Sequence, residues 1–237
     1  MISKAVEDFS KADFSEGEAI LIDKEQGVSS FGVIRRLRKI TGVKKIGHAG
    51  TLDPNATGLL IICTAKKTKE IYKYQDAEKT YSGTITLGKS TPSMDGETEF
   101  IKEGSIEDVT AEKIEEVRKT FLGTISQLPP MYSAIKHKGK SLYKYARQGK
   151  EIERTPREIF VKEFNIDEIE LPDLKFTLVC SKGTYVRVIA NDFGDKLGCG
   201  AYLKDLRREA IGSYNVKDAF SIDEFEEMVK SSNSIAD

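Results

Sequence analysis

Apolar residues recur along this chain at three different spacings, and each spacing predicts a different element. Residues 19–22 and 59–63 are short unbroken apolar runs, which read as strands, the second buried. Residues 81–87 alternate instead, with Tyr81, Gly83, Ile85 and Leu87 on one side, and 174–180 repeat the pattern with Leu174, Phe176, Leu178 and Cys180. Both predict half-buried strands, and a further strand is expected over 159–166. Helical spacing follows a cap at Ser29 or Ser30, where Val33, Ile34, Leu37 and Ile40 share a face. Thr110 precedes a second such face of Ile114, Val117 and Phe121, and 185–197 carries a third. Ser221 and Glu224 form a capping box for a last helix.

The order of these elements lacks regular strand–helix–strand alternation, so it predicts an α+β fold whose sheet is mixed and mainly antiparallel, flanked by helices. Residues 1–16 are polar and aperiodic, an arm that is loose or a short helix. No internal repeat, low-complexity segment or long Pro/Gly/Ser linker divides the 237 residues, and 17–237 is expected to be one domain. Within it, 127–150 has turn signals and basic residues but little core pattern, and reads as an exposed excursion.

Composition narrows the class. The chain is 39% hydrophobic and 32% charged, enough for a sizeable core. It has no apolar run of the roughly 18–20 residues that a membrane span needs. Its start, MISKAVEDFSKADF, has no apolar h-region. Cys63, Cys180 and Cys199 are widely spaced, which supports neither a disulfide framework nor a zinc site. A reduced, cytoplasmic, metal-free protein is expected.

The net charge of −1 hides a segregation. Residues 29–52 contain no acid but carry Arg35, Arg36, Arg38, Lys39, Lys44 and Lys45. Residues 120–150 contain none either, and interleave Lys136, Lys138, Lys140, Lys144, Arg147 and Lys150 with Tyr132, Tyr143 and Tyr145. Acids gather at the other end, at Asp218, Asp223, Glu224, Glu226, Glu227 and Asp237. Cations that neutralise phosphates beside rings that stack on bases favour a nucleic acid over a merely solvated helix face.

The candidate chemistry lies in GHAGTLDPNATGLL, residues 47–60. It is not a phosphate loop, because it lacks the G-x-x-x-x-G-K-[ST] pattern and centres on an acid. One reading is a turn in which Asp53 bonds its own backbone and Pro54 fixes the bend. The other is a working carboxylate, ionised at neutral pH, which would need a cationic partner if buried.

The loop closely resembles the catalytic loop of the TruB family of tRNA pseudouridine-55 synthases. Four more segments resemble that family in the same order: LIDKEQGVSS at 21–30, KTYSGTITLGKSTPSMDGE at 79–97, QLPPMYSAIKHKGKSLYKYARQG at 127–149 and CSKGTYVRVIANDFGDKLGCGAYLKDLRREAIGSY at 180–214. The resemblance covers residues 18–220 and implies a pseudouridine-synthase-like fold. It also implies isomerisation of the T-loop uridine of tRNA: the N1–C1′ bond breaks, the base turns, and C5 rejoins C1′. Nothing is oxidised and no group is added, so no cofactor is expected; the implied partner is the tRNA T-arm, and the implied state a monomer.

By the same resemblance Asp53 is the catalytic aspartate, which could attack C1′, attack C6, or assist elimination to a glycal. Arg187, in GTYVR, matches the arginine that pairs with it, and a guanidinium can hold a carboxylate in two parallel bonds. Tyr81 matches the tyrosine that stacks on the flipped base; its phenol, near pKa 10, is a weak base for any proton transfer. His48 matches the residue that fills the space the flipped nucleotide leaves, offsetting part of the cost of unstacking. Tyr185 and Leu206 match the walls of the uracil pocket, and Lys24 supports the loop. Lys136, Lys140, Tyr143 and Arg147 fall in the RNA-binding excursion, where His137 is a surface contact.

Three departures stand out. Glu25 replaces the proline of D-K-P, and Ala49 replaces the threonine of G-H-T-G with loss of a hydroxyl that could reach RNA. The PUA domain that many members carry after a position like Ser221 is not expected here. Two other readings compete: catalysis on a different RNA, and a non-enzymatic RNA-binding or tRNA-folding protein. An aspartyl phosphatase is excluded by the lack of a D-x-D motif or a metal carboxylate cluster.

Overall fold

The computed structural model describes residues 1–6, 9 and 12–234, the side chains of 232–234 excepted. In chain order the strands are β1 (Ala19–Lys24), β2 (Ile46–His48), β3 (Thr57–Thr64), β4 (Lys79–Leu87), β5 (Lys89–Ser90), β6 (Lys102–Glu103), β7 (Gly123–Gln127), β8 (Lys136–His137), β9 (Lys140–Ser141), β10 (Arg157–Glu170), β11 (Asp173–Cys180), β12 (Ala201–Ile211) and β13 (Tyr214–Asn215). The helices are α1 (Ser30–Thr41), α2 (Ile71–Asp76), α3 (Ala111–Lys119), α4 (Leu142–Ala146), α5 (Val186–Leu197) and α6 (Ile222–Ser234). Two compact units form, Met1–Tyr81 with Leu206–Asp237, and Ser82–Asp205.

In the first unit β1 runs antiparallel to β3 from Ala19↔Cys63 to Lys24↔Gly58, and β2 lies antiparallel along β3 as well. The end of β12 joins β3 in parallel, with Arg207 opposite Thr57 and Arg208 opposite Gly58. Both faces are covered, which is why β1 and β3 read as unbroken apolar runs. Ile20, Ile22, Leu60 and Ile62 pack with Val33, Leu37, Ile222 and Phe225 beneath α1 and α6. Ala19, Leu21, Leu59, Ile61 and Cys63 face the other way, toward Tyr74, Ile211 and Val216.

The local signals for these helices act as the sequence implies. The Ser29 hydroxyl caps α1 by accepting from Gly32 N–H at 3.0 Å. Ser221 and Glu224 exchange both bonds of the capping box, at 2.7 and 3.2 Å. The acids of α6 answer α1: Arg36 pairs with Asp223 at 2.5 Å and lies 3.8 Å from Glu226, so it is not part of a free basic face.

The N-terminal residues differ from a loose arm. Ile2 bridges Ile20, donating to Ala19 and accepting from Leu21, while Phe9 and Phe14 meet the rings of Phe220 and Phe225 edge-on. Apolar residues at 2, 9 and 14 bury against the core although no period links them. Residues 7, 8, 10 and 11 of that segment, and Asp237 of the acidic tail, lie outside the described residues.

The second unit orders β4–β11–β10–β7, and β10 pairs antiparallel with both β11 and β7. Phe121, Phe164, Phe176 and Phe193 meet in edge-to-face or tilted contacts, seating α3 and α5 on this sheet. Residues 127–150 are more structured than an irregular excursion. β8 and β9 form a hairpin whose two central residues, Lys138 and Gly139, have φ 49° and 80°, the left-handed turn that matches strand twist. α4 follows, with Leu142 buried. The fold is α+β, with a mixed, mainly antiparallel sheet and flanking helices.

Candidate active site

In the first unit the loop between β2 and β3 carries Asp53, and hydrogen bonds tie its backbone at several points. Ala49 N–H donates to Ile61 at 2.9 Å. The Ser30 hydroxyl both donates to the Leu52 carbonyl, at 3.0 Å, and accepts from its N–H, at 2.9 Å. Ala56 N–H donates back to the Asp53 carbonyl at 3.1 Å, closing the turn at Pro54. The Pro54 carbonyl accepts from Gly27 N–H at 2.8 Å and from Lys24 at 3.2 Å. A loop tied at this many points holds its backbone in one path on both sides of Asp53.

Two fully buried cations do much of the tying. Lys24 Nζ donates to the carbonyls of Glu25 (2.8 Å), Val28 (2.7 Å) and Pro54 (3.2 Å). Arg208, on β12, donates from Nε to the Leu59 carbonyl at 2.7 Å and from Nη2 to the Gly50 carbonyl at 3.1 Å. One guanidinium therefore holds both ends of the loop. Gly58 permits the approach: its φ is 102°, and a Cβ there would stand 2.3 Å from the Arg208 carbonyl oxygen. Beside it Arg207 forks onto Asp23 at 3.1 and 2.7 Å.

These buried charges set the local electrostatics. Burial pushes the Lys24 ammonium down to about 8; the Asp53 carboxylate opposes that shift, and Arg208 adds to it. His48 is held below its usual range, first by burial and then by the Arg208 charge. The Gly50 backbone acts against that shift, although the buried Nδ1 makes no hydrogen bond of full geometry among the described residues. Burial and the Arg208 charge both favour the neutral imidazole over its cation. Tyr81, on β4, is buried, and Leu206, on β12, is half-buried with its carbonyl 3.5 Å from the Thr57 hydroxyl.

Ala49 explains its own departure. It is fully buried among Leu21, Leu59, Ile61 and Cys63, so a hydroxyl at that position would face the core. The expectation that the missing threonine costs an RNA contact is not supported by that burial.

The second unit holds Arg187 in the first turn of α5, where the helix dipole disfavours a cation. It is buried, its Nη1 lying 3.4 Å from the Ser93 carbonyl and 3.9 Å from Asp95. Tyr185 precedes α5, with the Arg157 guanidinium 4.8 Å from its ring centroid. Arg157 also donates to the Gly183 carbonyl. In the excursion Tyr143 donates to Glu97 at 2.5 Å, which raises its phenol pKa, and Arg147 sits 5.8 Å from the Tyr143 ring. Lys140 lies over Tyr145 at 4.7 Å and reaches Gln148 at 2.9 Å, while Lys136 is exposed on β8.

Lys24, His48 and Asp53 are thus gathered on one loop system, and Tyr185 and Arg187 at the start of one helix. Sequence reading missed Arg208 and Gln127. Among the described residues no group of three or more His, Cys, Asp or Glu could hold a metal, and no helix is long and apolar enough to cross a membrane.

A family model described as TruB family pseudouridylate synthase (N terminal domain) matches residues 38–186, more than half of the chain. A second, described as tRNA pseudouridylate synthase B C-terminal domain, matches residues 187–236. The chain is 49% identical over 225 residues to tRNA pseudouridine synthase B of Chloroherpeton thalassium, covering 92% of this chain and 93% of that protein. It is 46% identical to the Flavobacterium johnsoniae protein of the same name, covering 92% and 98%. Among solved structures it resembles a chain of a Cbf5-Nop10-Gar1 complex, with TM-score 0.72 and 27% identity over 96% of this chain. It spans 58% of that chain's length. A chain of an H/ACA RNP bound to a substrate RNA containing 2'-deoxyuridine shares the fold, with TM-score 0.70, 24% identity and coverage of 94% of this chain and 56% of that one.

Proposed function

The chain belongs to the TruB family of pseudouridylate synthases, and from that membership we propose that it isomerises the T-loop uridine of tRNA, position 55, to pseudouridine. The reaction cleaves N1–C1′, turns the uracil, and joins C5 to C1′; the proton leaves C5 and one is gained at N1, so product and substrate are isomers. Asp53 is the catalytic carboxylate. The observation that carries this reading is the loop itself: two buried cations and the Ser30 hydroxyl fix the backbone on both sides of one acid. A turn that merely reversed the chain would need no such scaffold.

The other roles follow the resemblance. Tyr81 stacks on the flipped base, a contact worth roughly 1–3 kcal/mol. His48, neutral and flat, occupies the vacated place in the RNA stack. Arg187 is the guanidinium assigned to keep the catalytic carboxylate ionised, and Tyr185 and Leu206 wall the uracil. Lys24 acts through the loop. Lys136, Lys140, Tyr143 and Arg147 engage the T-arm, and the enzyme works as a cytoplasmic monomer without a cofactor.

A T-arm hairpin incubated with the protein, followed by chemical mapping of pseudouridine, tests the reading. Modification at the T-loop uridine alone is expected. Modification elsewhere would move the substrate to another RNA, and binding without modification would favour an RNA-folding protein.

A further inference from the structure

The side chain of Gln127 is 1% exposed and makes two hydrogen bonds to the backbone of a single residue. Its Oε1 accepts from Tyr185 N–H at 2.8 Å, and its Nε2 donates to the Tyr185 carbonyl at 3.1 Å. A side-chain amide that satisfies both groups of one residue replaces a strand neighbour and leaves that residue little freedom. Tyr185 precedes α5 with φ −97° and ψ 105°; its side chain makes no cap bond, and its carbonyl also accepts from the N–H groups of Val188 and Ile189 at 3.1 and 3.3 Å. Arg157 adds a second restraint, lying over the ring while it donates to the Gly183 carbonyl.

Gln127 also ends β7, and the segment that leaves it leads to the basic hairpin at Lys136–Ser141 and the helix after it. The same residue is therefore the root of the excursion and the clamp on the segment that starts α5, with Arg187 two residues further on. We propose that Gln127 is a positioning residue that sets Tyr185, and through it the first turn of α5, for uridine isomerisation, and that it ties this placement to the base of the RNA-binding excursion. The assignment rests on the function proposed above. Gln127 is not itself a group that touches the reacting atoms.

The paired bonds make the variants specific. Gln127→Glu keeps the size and the acceptor but opposes a carboxylate to the Tyr185 carbonyl. Gln127→Met keeps the bulk and loses both bonds. A stability control is Thr86→Val, which removes the 2.6 Å bond to Asp173 elsewhere in the same unit. Single-turnover rates and Kd would be measured on a T-arm hairpin, with amide exchange at Tyr185 and Tm for each protein.

Both Gln127 variants are expected to lose at least tenfold in single-turnover rate with Kd within threefold, and to lose protection at the Tyr185 amide. Thr86→Val is expected to lower Tm without that rate loss. An unchanged rate in variants whose Tyr185 amide has lost protection would overturn the assignment. So would a rate loss in Thr86→Val that matches theirs at equal Tm. Failure of the unaltered chain to form pseudouridine would overturn the proposed function, and this assignment with it.

Discussion

Arg208 donates to the Gly50 carbonyl at 3.1 Å from a side chain that is fully buried, and the same guanidinium reaches Leu59 on the far side of the Asp53 loop. A shorter ammonium cannot span both carbonyls. Leaving one buried carbonyl unpaired costs about 1–3 kcal/mol. Arg208→Lys should therefore fold with a lower Tm, lose roughly tenfold or more in turnover, and hold RNA affinity within threefold. Wild-type turnover in a folded Arg208→Lys protein would show that the bracket is dispensable.

Lys24 gives a pH signature with opposite signs for stability and rate. Its folded value of about 8 lies below the usual 10.5 of a lysine, so the unfolded chain holds more protons between those values. Stability therefore rises with pH across that window, while below pH 8 both states are protonated and the cost of burying the charge is constant. The ammonium that grips Pro54 is lost over the same window. Turnover should fall through an apparent pKa near 8 without a matching fall in Tm. Lys24→Met, slower throughout, should lack that limb; a limb of equal size in the variant would assign it to another group.

His48 should titrate below 6.5, because burial and the Arg208 charge both disfavour its cation. Proton NMR of its ring across pH 4–8 would show it, and a value at or above 6.5 would contradict the geometry. His48→Ala should weaken productive base flipping by a modest factor, since a ring that fills a gap offsets only part of an unstacking cost of a few kcal/mol.

The excursion should carry affinity rather than chemistry. Replacing Lys136, Lys140 and Arg147 together by Glu should raise Kd for a T-arm hairpin at least tenfold and flatten its salt dependence. Three lost phosphate contacts would reduce the slope of log K against log salt by about 2–3. Residues 127–150 should also gain amide protection when RNA binds. Unchanged affinity and slope would remove the excursion from the RNA interface.

The elements set by neighbouring residues were legible in sequence: the caps at Ser29, Thr110 and Ser221, and the apolar runs of β1 and β3. β12 was not. Its AYLKDLRREAI reads as a charged, helix-prone segment, and its partner in the first unit, β3, lies about 150 residues earlier. Burial along it fails to alternate cleanly because Arg208 is taken out of water to serve carbonyls, a use of charge that polarity patterns assign to solvent. Lys24 is buried for the same purpose, and Gln127 substitutes for a strand neighbour, which no local pattern announces. The loop sequence singled out Asp53 as a candidate; the structure supplied the cations and hydroxyl that fix the backbone around it.

The central claim is that Asp53 does chemistry and the rest of the loop exists to present it. Asp53→Asn keeps the shape and the Asp53 and Pro54 carbonyl contacts while removing the charge. The most direct measurement is tritium release from a T-arm hairpin labelled at C5 of the target uridine, under single turnover, with RNA affinity measured in parallel. The variant should bind RNA as tightly as the wild type and release no tritium above background. Release at the wild-type rate from the bound variant would contradict the account.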